Sequence, residues 1–462
     1  MRSPLTHSSA DASGSFAELD RRRFLGLAAT LGVSAAALAA CGGPSTSTTT
    51  SSSSSVPQID FTGVKPAKQI TWWSSNPGGS EAVSKQSIAA FEASQSDTKV
   101  TLVTAGKTYE EVAQKFQTAQ TGGTLPDLVV FSDVWWFRYF MLGSIIPLDS
   151  AIKAVGIDTK DYRDQLMADY QYNNAQWAIP WARSTPIFYW NKAHWQAAGL
   201  PDRAPATWME FADWAPRLQA ANPSAQHAFQ HPALAGYAGW SFQNNLWGWG
   251  GAWSKGWDVT CNSKESVAAI QFLQDSVYKG KWAGVASVDS TNDLSAGAVS
   301  ATVGSTGSLV GILKSATFPV GAGFLPGGPV TKSPVCPTGG AGIGIPKAIP
   351  KENQLAAANF LKFLTSPEQT VAFSAATGYM PVRKSANVSG LIAKTPQIKV
   401  AIDQLAVTKV QDWARVFFPG GDQEMAKTCA KILTQQADTA TELNNLKTTL
   451  TGIYNNDVKP HI

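Results

Sequence analysis

Residues suited to metal or catalytic chemistry are few in this chain. Among only five histidines, His227 and His231 have the i, i+4 spacing of metal ligands on a helix. Ala228, however, occupies the position where a zinc protease needs its general base, and Pro223 and Pro232 flank a segment that we expect to be irregular. The chain has no Gly-x-Ser-x-Gly sequence and no phosphate-binding loop. We therefore expect no metal and no cofactor, while a pair of facing carboxylates stays open as a catalytic arrangement.

The amino-terminal residues predict export and lipid attachment. Arg21-Arg22-Arg23 precede a weakly apolar run and Leu38-Ala39-Ala40-Cys41-Gly42, an order that resembles a twin-arginine signal ending in a bacterial lipobox. Asp20 and Gly26 depart from the twin-arginine pattern, so general secretion is an alternative route. The apolar run is shorter than the roughly 20 residues that span a bilayer. We therefore expect an export signal at 1–41 and a mature chain tethered to the outer face of the membrane by lipid on Cys41.

Composition changes after this signal. Residues 42–65 are rich in Ser, Thr and Pro and predict a disordered stalk, because they bury too little apolar surface to offset the entropy of ordering. The remaining chain exceeds what one hydrophobic core usually organises, so two lobes are expected. A net charge of +4 on 462 residues is too weak and dispersed for a nucleic-acid surface. Cys261, Cys336 and Cys429 lack zinc-site spacing and are expected to be buried, with at most one disulfide among them.

The start of the globular region predicts a parallel sheet. Its strands are expected at 69–74, 99–104 and 128–131, and they alternate with helices at 84–94 and 109–121. The carboxyl ends of parallel strands lie along one edge of a sheet, where ligands bind. Three loops after the strands are therefore expected to face one crevice: 74–79, 106–109 and 132–135.

Aromatic residues are unusually frequent, with 17 Trp, 10 Tyr and 20 Phe. Most are expected to pack in hydrophobic cores. The others are expected to line a cleft, because aromatic faces suit sugars, polyols and quaternary ammonium groups.

An ordered set of short motifs resembles a known family. The set includes Leu125-Pro126-Asp127-Leu128, Ala178-Ile179-Pro180-Trp181, Thr207-Trp208-Met209-Glu210-Phe211 and Phe360-Leu361-Lys362-Phe363-Leu364. From about Gln69 to Gly420 the chain resembles the extracellular solute-binding proteins of ABC importers (family 1), which include sugar and glycerol-phosphate binders. The resemblance implies an α/β, two-lobed, periplasmic-binding-protein-like fold with a ligand cleft between the lobes. Lobe 1 is expected at 66–183 plus 306–347, and lobe 2 at 184–305 plus 348–462.

Further motifs are similar to the binders of glycerol 3-phosphate and glycerophosphocholine within that family. They include Asp133-Val134-Trp135-Trp136, Ala182-Arg183-Ser184-Thr185-Pro186, Pro337-Thr338-Gly339-Gly340 and Asp412-Trp413-Ala414-Arg415. The resemblance implies a ligand site made of Tyr109, Asp133, Ser184, Tyr237, Trp240, Ser305, Gly340, Tyr379 and Arg415. Members of the family differ at the position of Tyr237, which leaves open which glycerophosphate fits.

These residue types suit a phosphodiester. The guanidinium of Arg415 can meet a delocalised negative charge with paired hydrogen bonds. Ser184, Ser305 and Tyr379 supply neutral donors, and Gly340 lets the backbone approach a ligand closely.

Structural roles are the alternatives for several of them. Asp133 would orient glycerol hydroxyls or a choline ammonium, but it would also suit a helix cap. The alternatives are a tight turn for Gly340, a surface salt bridge for Arg415, packing at a helix start for Tyr109 and the core for Trp240.

Together these features predict a monomeric, non-enzymatic lipoprotein. It would capture a glycerophosphodiester or glycerol 3-phosphate and deliver this small solute to the permease subunits of an ABC importer. A sugar such as trehalose is the alternative ligand. A secreted hydrolase, identified by turnover of a glycerophosphodiester, and a surface adhesin, favoured if no small solute binds, are the alternatives from other classes.

Overall fold

The computed structural model describes residues 56–462. Residues 1–55, which include the predicted signal, Cys41 and most of the predicted stalk, lie outside the described residues. The last part of the predicted stalk lies against the folded region, where Phe61 is buried and the backbone N–H of Ile59 donates to Ser150 Oγ at 3.0 Å. From residue 56 to the last residue, no helix is long and apolar enough to cross a membrane.

The first region contains the parallel strands that the sequence predicts. In chain order it comprises β1 (Gln69–Ser74), α1 (Glu81–Ser94), β2 (Lys99–Thr104), α2 (Tyr109–Ala119), β3 (Leu128–Ser132), α3 (Trp136–Met141), α4 (Asp149–Val155), α5 (Asp164–Ala168), β4 (Gln171–Tyr172), β5 (Ala175–Gln176) and β6 (Ile179–Ser184). Strand β1 pairs in parallel with both β2 and β3. Helix α2 begins where the Thr108 side chain accepts from the N–H of Glu111, and it buries Val112 and Phe116. The predicted order of strands and helices is confirmed.

The second region carries a separate sheet. It comprises β7 (Pro186–Asn191), α6 (Lys192–Ala197), α7 (Trp208–Ala221), β8 (Phe229–His231), α8 (Ala238–Ser241), α9 (Gln243–Gly248), β9 (Ser254–Lys255), β10 (Asp258–Val259), α10 (Lys264–Tyr278), β11 (Ala283–Val285), α11 (Ser290–Ser295), β12 (Ala301–Ser305), α12 (Leu309–Ser315), β13 (Val320–Gly323) and β14 (Cys336–Pro337). Five of these strands form a sheet in the order β11-β8-β12-β7-β13.

The last region completes the first sheet and adds helices. It comprises β15 (Gly339–Gly344), α13 (Lys351–Leu364), α14 (Pro367–Thr377), α15 (Ser389–Lys394), α16 (Gln397–Gln404), β16 (Thr408–Lys409), α17 (Trp413–Val416), α18 (Gly421–Gln435) and α19 (Thr439–Ile453). Strand β15 lies between β3 and β6 and is antiparallel to both. The first sheet therefore has the order β2-β1-β3-β15-β6.

The chain passes from one sheet to the other at Thr185, which separates β6 from β7. Several segments, among them β13 and α13, lie with the other sheet from the one that the predicted lobes gave them. Strand β13 pairs with β7 in the second sheet, and helix α13 packs against β1 and α1 of the first region. The remaining lobe boundaries stay a prediction.

Large aromatic side chains fill the cores. Fourteen of the 17 Trp are buried, as expected for a chain in which most aromatic residues pack inside. The ring of Trp72 lies 5.1 Å from that of Trp181 and 5.6 Å from that of Phe360, in edge-to-face contacts. Fully burying a large apolar side chain contributes about 1.5–3 kcal/mol, so these clusters hold α13 and β6 firmly to the first sheet.

Candidate functional site

One cavity of about 950 Å³ brings the predicted ligand residues together. The three loops that follow β1, β2 and β3 line it, through Ser75, Lys107 and Ser132 among others. The prediction that these loops face one crevice is confirmed, because the carboxyl ends of parallel strands meet at the same edge. All nine predicted ligand residues line this cavity: Tyr109, Asp133, Ser184, Tyr237, Trp240, Ser305, Gly340, Tyr379 and Arg415.

Arg415 is buried in the cavity wall and is shared by two carboxylates. Its Nε donates to Asp422 Oδ1 at 2.9 Å, and its Nη1 lies 3.3 Å from Asp133 Oδ2. Nη1 also donates to Gln411, whose Nε2 donates to Asp133 Oδ2 at 2.6 Å. Arg415 is therefore not part of a surface salt bridge. No residue from 56 to 462 accepts from its Nη2, which leaves donors for a ligand.

The charges in this network oppose the effect of burial. Burial disfavours the charged guanidinium, but the carboxylates of Asp133 and Asp422 outweigh it and raise the pKa of Arg415 above its ordinary value. Burial also raises the pKa of Asp422, while Arg415 acts in the opposite direction. Arg415, Asp133 and Asp422 stay together because each buried charge has lost its hydration and is stabilised only by the opposite charges beside it.

Asp133 holds the first sheet to this network. Its backbone N–H donates to the carbonyl of Gly340 at 3.1 Å, which fixes the loop after β3 beside β15. The helix-cap alternative for Asp133 is wrong, because α3 begins after Trp135 and has no side-chain cap.

Gly340 lies within β15, so the tight-turn alternative is also wrong. Its φ is +97°, and a Cβ added there would lie 2.1 Å from the carbonyl oxygen of Ala182. Only glycine fits this position without moving the backbone of β6. The bare backbone at residue 340 therefore forms part of the cavity wall.

Two tyrosines form a phenol pair on the wall. The hydroxyls of Tyr109 and Tyr379 lie 3.2 Å apart, and either can donate. Burial raises the pKa of both, so both phenols stay protonated near neutral pH. Gly78 and Gly307 pack on the ring of Tyr379, and a Cβ at either would approach the ring to within 3.0 Å. Tyr109 does begin helix α2, but it also lines the cavity.

Trp240 joins helix α8 to strand β15. Its Nε1 donates to the carbonyl of Thr338 at 2.9 Å, and its ring packs on Gly339. The ring of Tyr237 lies 5.9 Å from that of Trp240 at an angle of 55°. Trp240 is buried, as the core alternative expects, and it also contributes to the cavity wall.

Sequence reasoning did not single out several residues of the wall. It missed Asp422, which lies seven residues after Arg415 and beyond the break between α17 and α18, so that no continuous helical period links the two residues. It also missed polar residues on α11 and α12 and a face of α18. The missed residues include Asp289, Thr291, Asn292, Ser295, Ser308, Ser315, Gln423 and Lys427.

The histidine pair does not lie on a helix. His231 lies in strand β8, where its Nε2 is 2.9 Å from Ser276 Oγ, and burial lowers its pKa to about 3. Within residues 56–462, no group of three or more His, Cys, Asp or Glu is arranged to hold a metal ion. Cys261, Cys336 and Cys429 are free, buried thiols, and burial raises the pKa of each.

The fold and the cleft are those of a solute-binding protein. A model of the family described as bacterial extracellular solute-binding protein matches residues 86–400. The sn-glycerol-3-phosphate-binding periplasmic protein UgpB of Escherichia coli strain 536 is 28% identical over 336 residues, which cover 68% of this chain and 75% of that protein.

Solved structures of solute-binding proteins are also similar to this chain. UgpB from Mycobacterium tuberculosis in complex with glycerophosphocholine has a TM-score of 0.81 and 41% identity, covering 85% of this chain and all of that one. The GacH receptor of Streptomyces glaucescens, solved unliganded and with acarbose, has a TM-score of 0.74 at 19% identity, over 85% of this chain and all of that one. The latter shows the fold alone.

This chain therefore belongs to the bacterial extracellular solute-binding protein family. It has the two-lobed α/β fold of that family, with the cleft between the lobes, and its likeness to UgpB-type binding proteins extends over most of its length. The family is one of extracellular solute-binding proteins.

Proposed function

We propose that this chain is the binding component of an ABC importer and that its ligand is a glycerophosphodiester, with glycerophosphocholine the ligand of choice. The observation that carries the proposal is that all nine predicted ligand residues line one cavity. The structural neighbour with 41% identity, itself solved with glycerophosphocholine, supports the same ligand class.

The charges of the cavity favour a zwitterion. Four carboxylates and three cationic side chains line it, which gives a net charge of −1: Glu110, Asp133, Asp289 and Asp422, with Lys107, Arg415 and Lys427. Glycerophosphocholine carries one negative phosphodiester and one positive ammonium, so it can match both signs. A phosphate monoester such as glycerol 3-phosphate carries roughly −1.5 to −2 charges at pH 7 and would meet no excess of positive charge.

The phosphodiester has a set of donors in this arrangement. Nη2 of Arg415 would meet its charge, while Asp133 and Asp422 continue to hold Nη1 and Nε in place. The phenols of Tyr109 and Tyr379 and the hydroxyls of Ser184 and Ser305 would donate to the ligand oxygens. These groups bind and orient a solute, and affinity in the micromolar range, near −8 kcal/mol, would suit capture followed by release.

The cellular setting follows from the same proposal. Lipid on Cys41 would tether a monomer to the outer face of the membrane, and the protein would pass its solute to the permease subunits. The passage of the chain between sheets at Thr185 would act as part of a hinge that closes the lobes on the solute.

Calorimetric titration of the purified protein tests the ligand. Glycerophosphocholine should bind saturably and without turnover, and glycerol 3-phosphate should bind more weakly. Binding of trehalose but not of either glycerophosphate would overturn the proposal and favour a sugar-binding protein. Hydrolysis of glycerophosphocholine would instead favour a secreted hydrolase.

A further inference from the structure

Gln411 lies behind two of the charged residues that line the cavity, Arg415 and Asp133. It comes just before α17, four residues ahead of Arg415, and it does not itself line the cavity. Its exposed fraction is only 2%, so it is not in a position to meet a solute. Any influence of Gln411 on binding must therefore act through the side chains that it contacts.

The amide of Gln411 presents a different group to each charged neighbour. Its Oε1 accepts from Arg415 Nη1, and its Nε2 donates to Asp133 Oδ2 at 2.6 Å. The opposite orientation would place an NH₂ group against a guanidinium that only donates, and a carbonyl against a carboxylate that only accepts. The two charges therefore allow one orientation of this amide.

A second buried amide supports Gln411 from the other side. Gln243 Nε2 lies 3.4 Å from Gln411 Oε1 and donates to the carbonyl of Trp240 at 3.2 Å. Gln243 Oε1 accepts from the N–H of Asp412 at 2.8 Å. Gln411 Oε1 thus has donors on two sides, whereas Asp133 is the one acceptor for its Nε2 among residues 56–462.

The ion pair behind which Gln411 lies is longer than such a pair prefers. Arg415 Nη1 is 3.3 Å from Asp133 Oδ2, whereas hydrogen bonds between these groups are typically about 2.7–2.9 Å and are often paired. Gln411 bonds to both partners and makes the shorter contacts itself. It therefore stands in for the direct bonds that the two charges would otherwise make.

This arrangement leaves one atom of each charged side chain open. Within residues 56–462, Asp133 Oδ1 accepts no hydrogen bond and Arg415 Nη2 donates none, and neither atom is buried. A paired contact between guanidinium and carboxylate would need a second nitrogen and a second oxygen. Such a contact would use one or both of the atoms that are open here.

We propose that Gln411 is a positioning residue of the solute site, which keeps Arg415 and Asp133 from closing into a paired contact and so presents Nη2 and Oδ1 to the solute. This inference rests on the proposed function and adds a residue that does not touch the solute. Nη2 donates to the phosphodiester, and Oδ1 accepts from a ligand hydroxyl. An amide suits this place because one neutral group can meet a cation and an anion at once.

The test replaces the amide by a carboxyl group of the same shape and compares two pH values. A protonated carboxyl accepts from Arg415 and donates to Asp133, as the amide does, whereas an ionised carboxyl has no proton to donate. Burial and the nearby carboxylates of Asp133, Asp412 and Asp422 favour the protonated form, and Arg415 opposes them. Gln411→Glu should therefore supply the donor at about pH 5 and lose it at about pH 8. Glycerophosphocholine keeps both of its charges over this range.

Three further variants complete the comparison. Gln411→Met keeps the length of the side chain and removes both hydrogen bonds at either pH. The matched controls are Gln274→Met and Gln274→Glu. Gln274 is also buried, and its Nε2 donates to the carbonyls of Ile432 at 3.0 Å and Ala437 at 2.7 Å, but it does not line the cavity. Each affinity is divided by that of the unchanged protein at the same pH, so that titration of groups common to all variants cancels.

We expect Gln411→Met to weaken glycerophosphocholine binding about three- to tenfold at both pH values in calorimetric titration. Gln411→Glu should lose at least as much at about pH 8 and recover to within about twofold of the unchanged protein at about pH 5. Both Gln274 variants should bind as the unchanged protein does.

An unchanged affinity of Gln411→Met would overturn the positioning role, and so would an affinity ratio of Gln411→Glu that is the same at both pH values. Circular dichroism at each pH shows that folded proteins are compared, and if Gln411→Met does not fold, the result for Gln411→Glu decides alone. Either negative result would leave the proposed function intact. If the unchanged protein did not bind glycerophosphocholine, the proposed function and the role of Gln411 would both be wrong.

Discussion

At the scale of single residues, Arg415 has two tasks that a ligand-binding arginine on a surface would not have. It neutralises Asp133 and Asp422 inside the protein, and under the proposed function its Nη2 would also meet the solute. Removing a buried charge strands its partners, and this costs more than the pair contributed. A substitution of Arg415 must therefore be chosen to separate stability from binding.

Arg415→Lys should weaken glycerophosphocholine binding about tenfold while the protein stays folded. Lysine keeps the positive charge between the two carboxylates, but its single ammonium cannot hold Asp133 and Asp422 and also donate to the phosphodiester, as the three nitrogens of the guanidinium would. Calorimetric titration measures the change. Arg383→Lys is the matched control, because Arg383 is also buried beside an aspartate but does not line the cavity, and its affinity should be unchanged.

Arg415→Ala should weaken both ligand binding and the stability of the fold. Binding should weaken by at least ~1.5 kcal/mol through loss of a charged hydrogen bond. The free energy of unfolding should fall by about 3–5 kcal/mol, because two carboxylates remain buried without their cation. Denaturant unfolding measures the second effect, and an unchanged midpoint would show that Asp133 and Asp422 do not depend on Arg415.

At the scale of elements, Asp412 fastens α17 to α9 and to the loop that follows it. Its Oδ2 accepts from the N–H of Trp253 at 2.6 Å, and its Oδ1 accepts from Trp247 Nε1 at 3.0 Å. Burial raises the pKa of Asp412 to about 6, and the hydrogen bonds only partly oppose this. Helix α17, which carries Arg415, is therefore held by the carboxylate of Asp412. Burial destabilises the ionised form of this carboxylate.

The pH dependence of the free energy of unfolding should reveal the titration of Asp412. The folded chain holds the Asp412 proton more tightly than the unfolded chain, in which the pKa is near 3.8. The contribution of Asp412 therefore favours the folded state below pH 4 and is lost as the pH rises through about 6, by up to about 3 kcal/mol. Unfolding curves between pH 4 and 8 should have a steeper pH dependence for the unchanged protein than for Asp412→Asn. Parallel pH profiles would show that Asp412 titrates normally.

The connection between the two sheets depends on a side chain of α16. Gln404 Nε2 donates to Thr185 Oγ1 at 2.9 Å and to the carbonyl of Pro186 at 2.8 Å, and its Oε1 accepts from the N–H of Leu325 at 2.9 Å. All of these bonds are buried, so Gln404→Leu should lower the free energy of unfolding by about 1–3 kcal/mol.

The control for that substitution lies on the same helix. Gln397→Leu removes a single, partly buried bond to the carbonyl of Val320 and should cost less than half as much. Denaturant unfolding compares the two variants. Equal losses of unfolding free energy in the two variants would mean that the hydrogen bonds of Gln404 to the segment at Thr185 give no special stabilisation.

Local patterns were enough to predict the elements of the first sheet. Strands β1, β2 and β3 and helix α2 follow from short-range apolar periodicity, and the loops after those strands do line the cavity. The position of β15 between β3 and β6 could not be predicted from periodicity, because its glycine-rich sequence has no alternation of apolar and polar residues. The pairing of Arg415 with Asp133 could not be predicted from local spacing because the two residues lie far apart in the sequence, and Asp422 was missed because a break between α17 and α18 separates it from Arg415.

At the scale of the whole molecule, the cavity draws its wall from both sheets and from helices near the carboxyl end. The resemblance of ordered motifs to a family predicted this assembly better than any single motif did, because it carried long-range contacts that composition and periodicity lack. The lipid anchor on Cys41, the lobe boundaries and the contacts of each ligand residue stay predictions.

The size of the cavity leads to a prediction about motion. Its volume of about 950 Å³ lies near the upper limit for small-molecule pockets, about 300–1,000 Å³, which leaves room for the lobes to approach each other around a small solute. The backbone N–H of Thr306, just after β12, donates to the carbonyl of Thr185 at 3.1 Å, so the chain after β12 is tied to the passage between the sheets.

Glycerophosphocholine should therefore reduce the radius of gyration measured by small-angle X-ray scattering, because hinge closure brings the two sheets together. Arg415→Lys, titrated to the same saturation, should reach the same compact state at a higher ligand concentration, since the substitution weakens capture but leaves the hinge intact. Trehalose at equal concentration should leave the scattering unchanged. Saturable binding of glycerophosphocholine without any compaction would mean that the cleft binds its solute as a rigid site and that Thr185 is not a hinge.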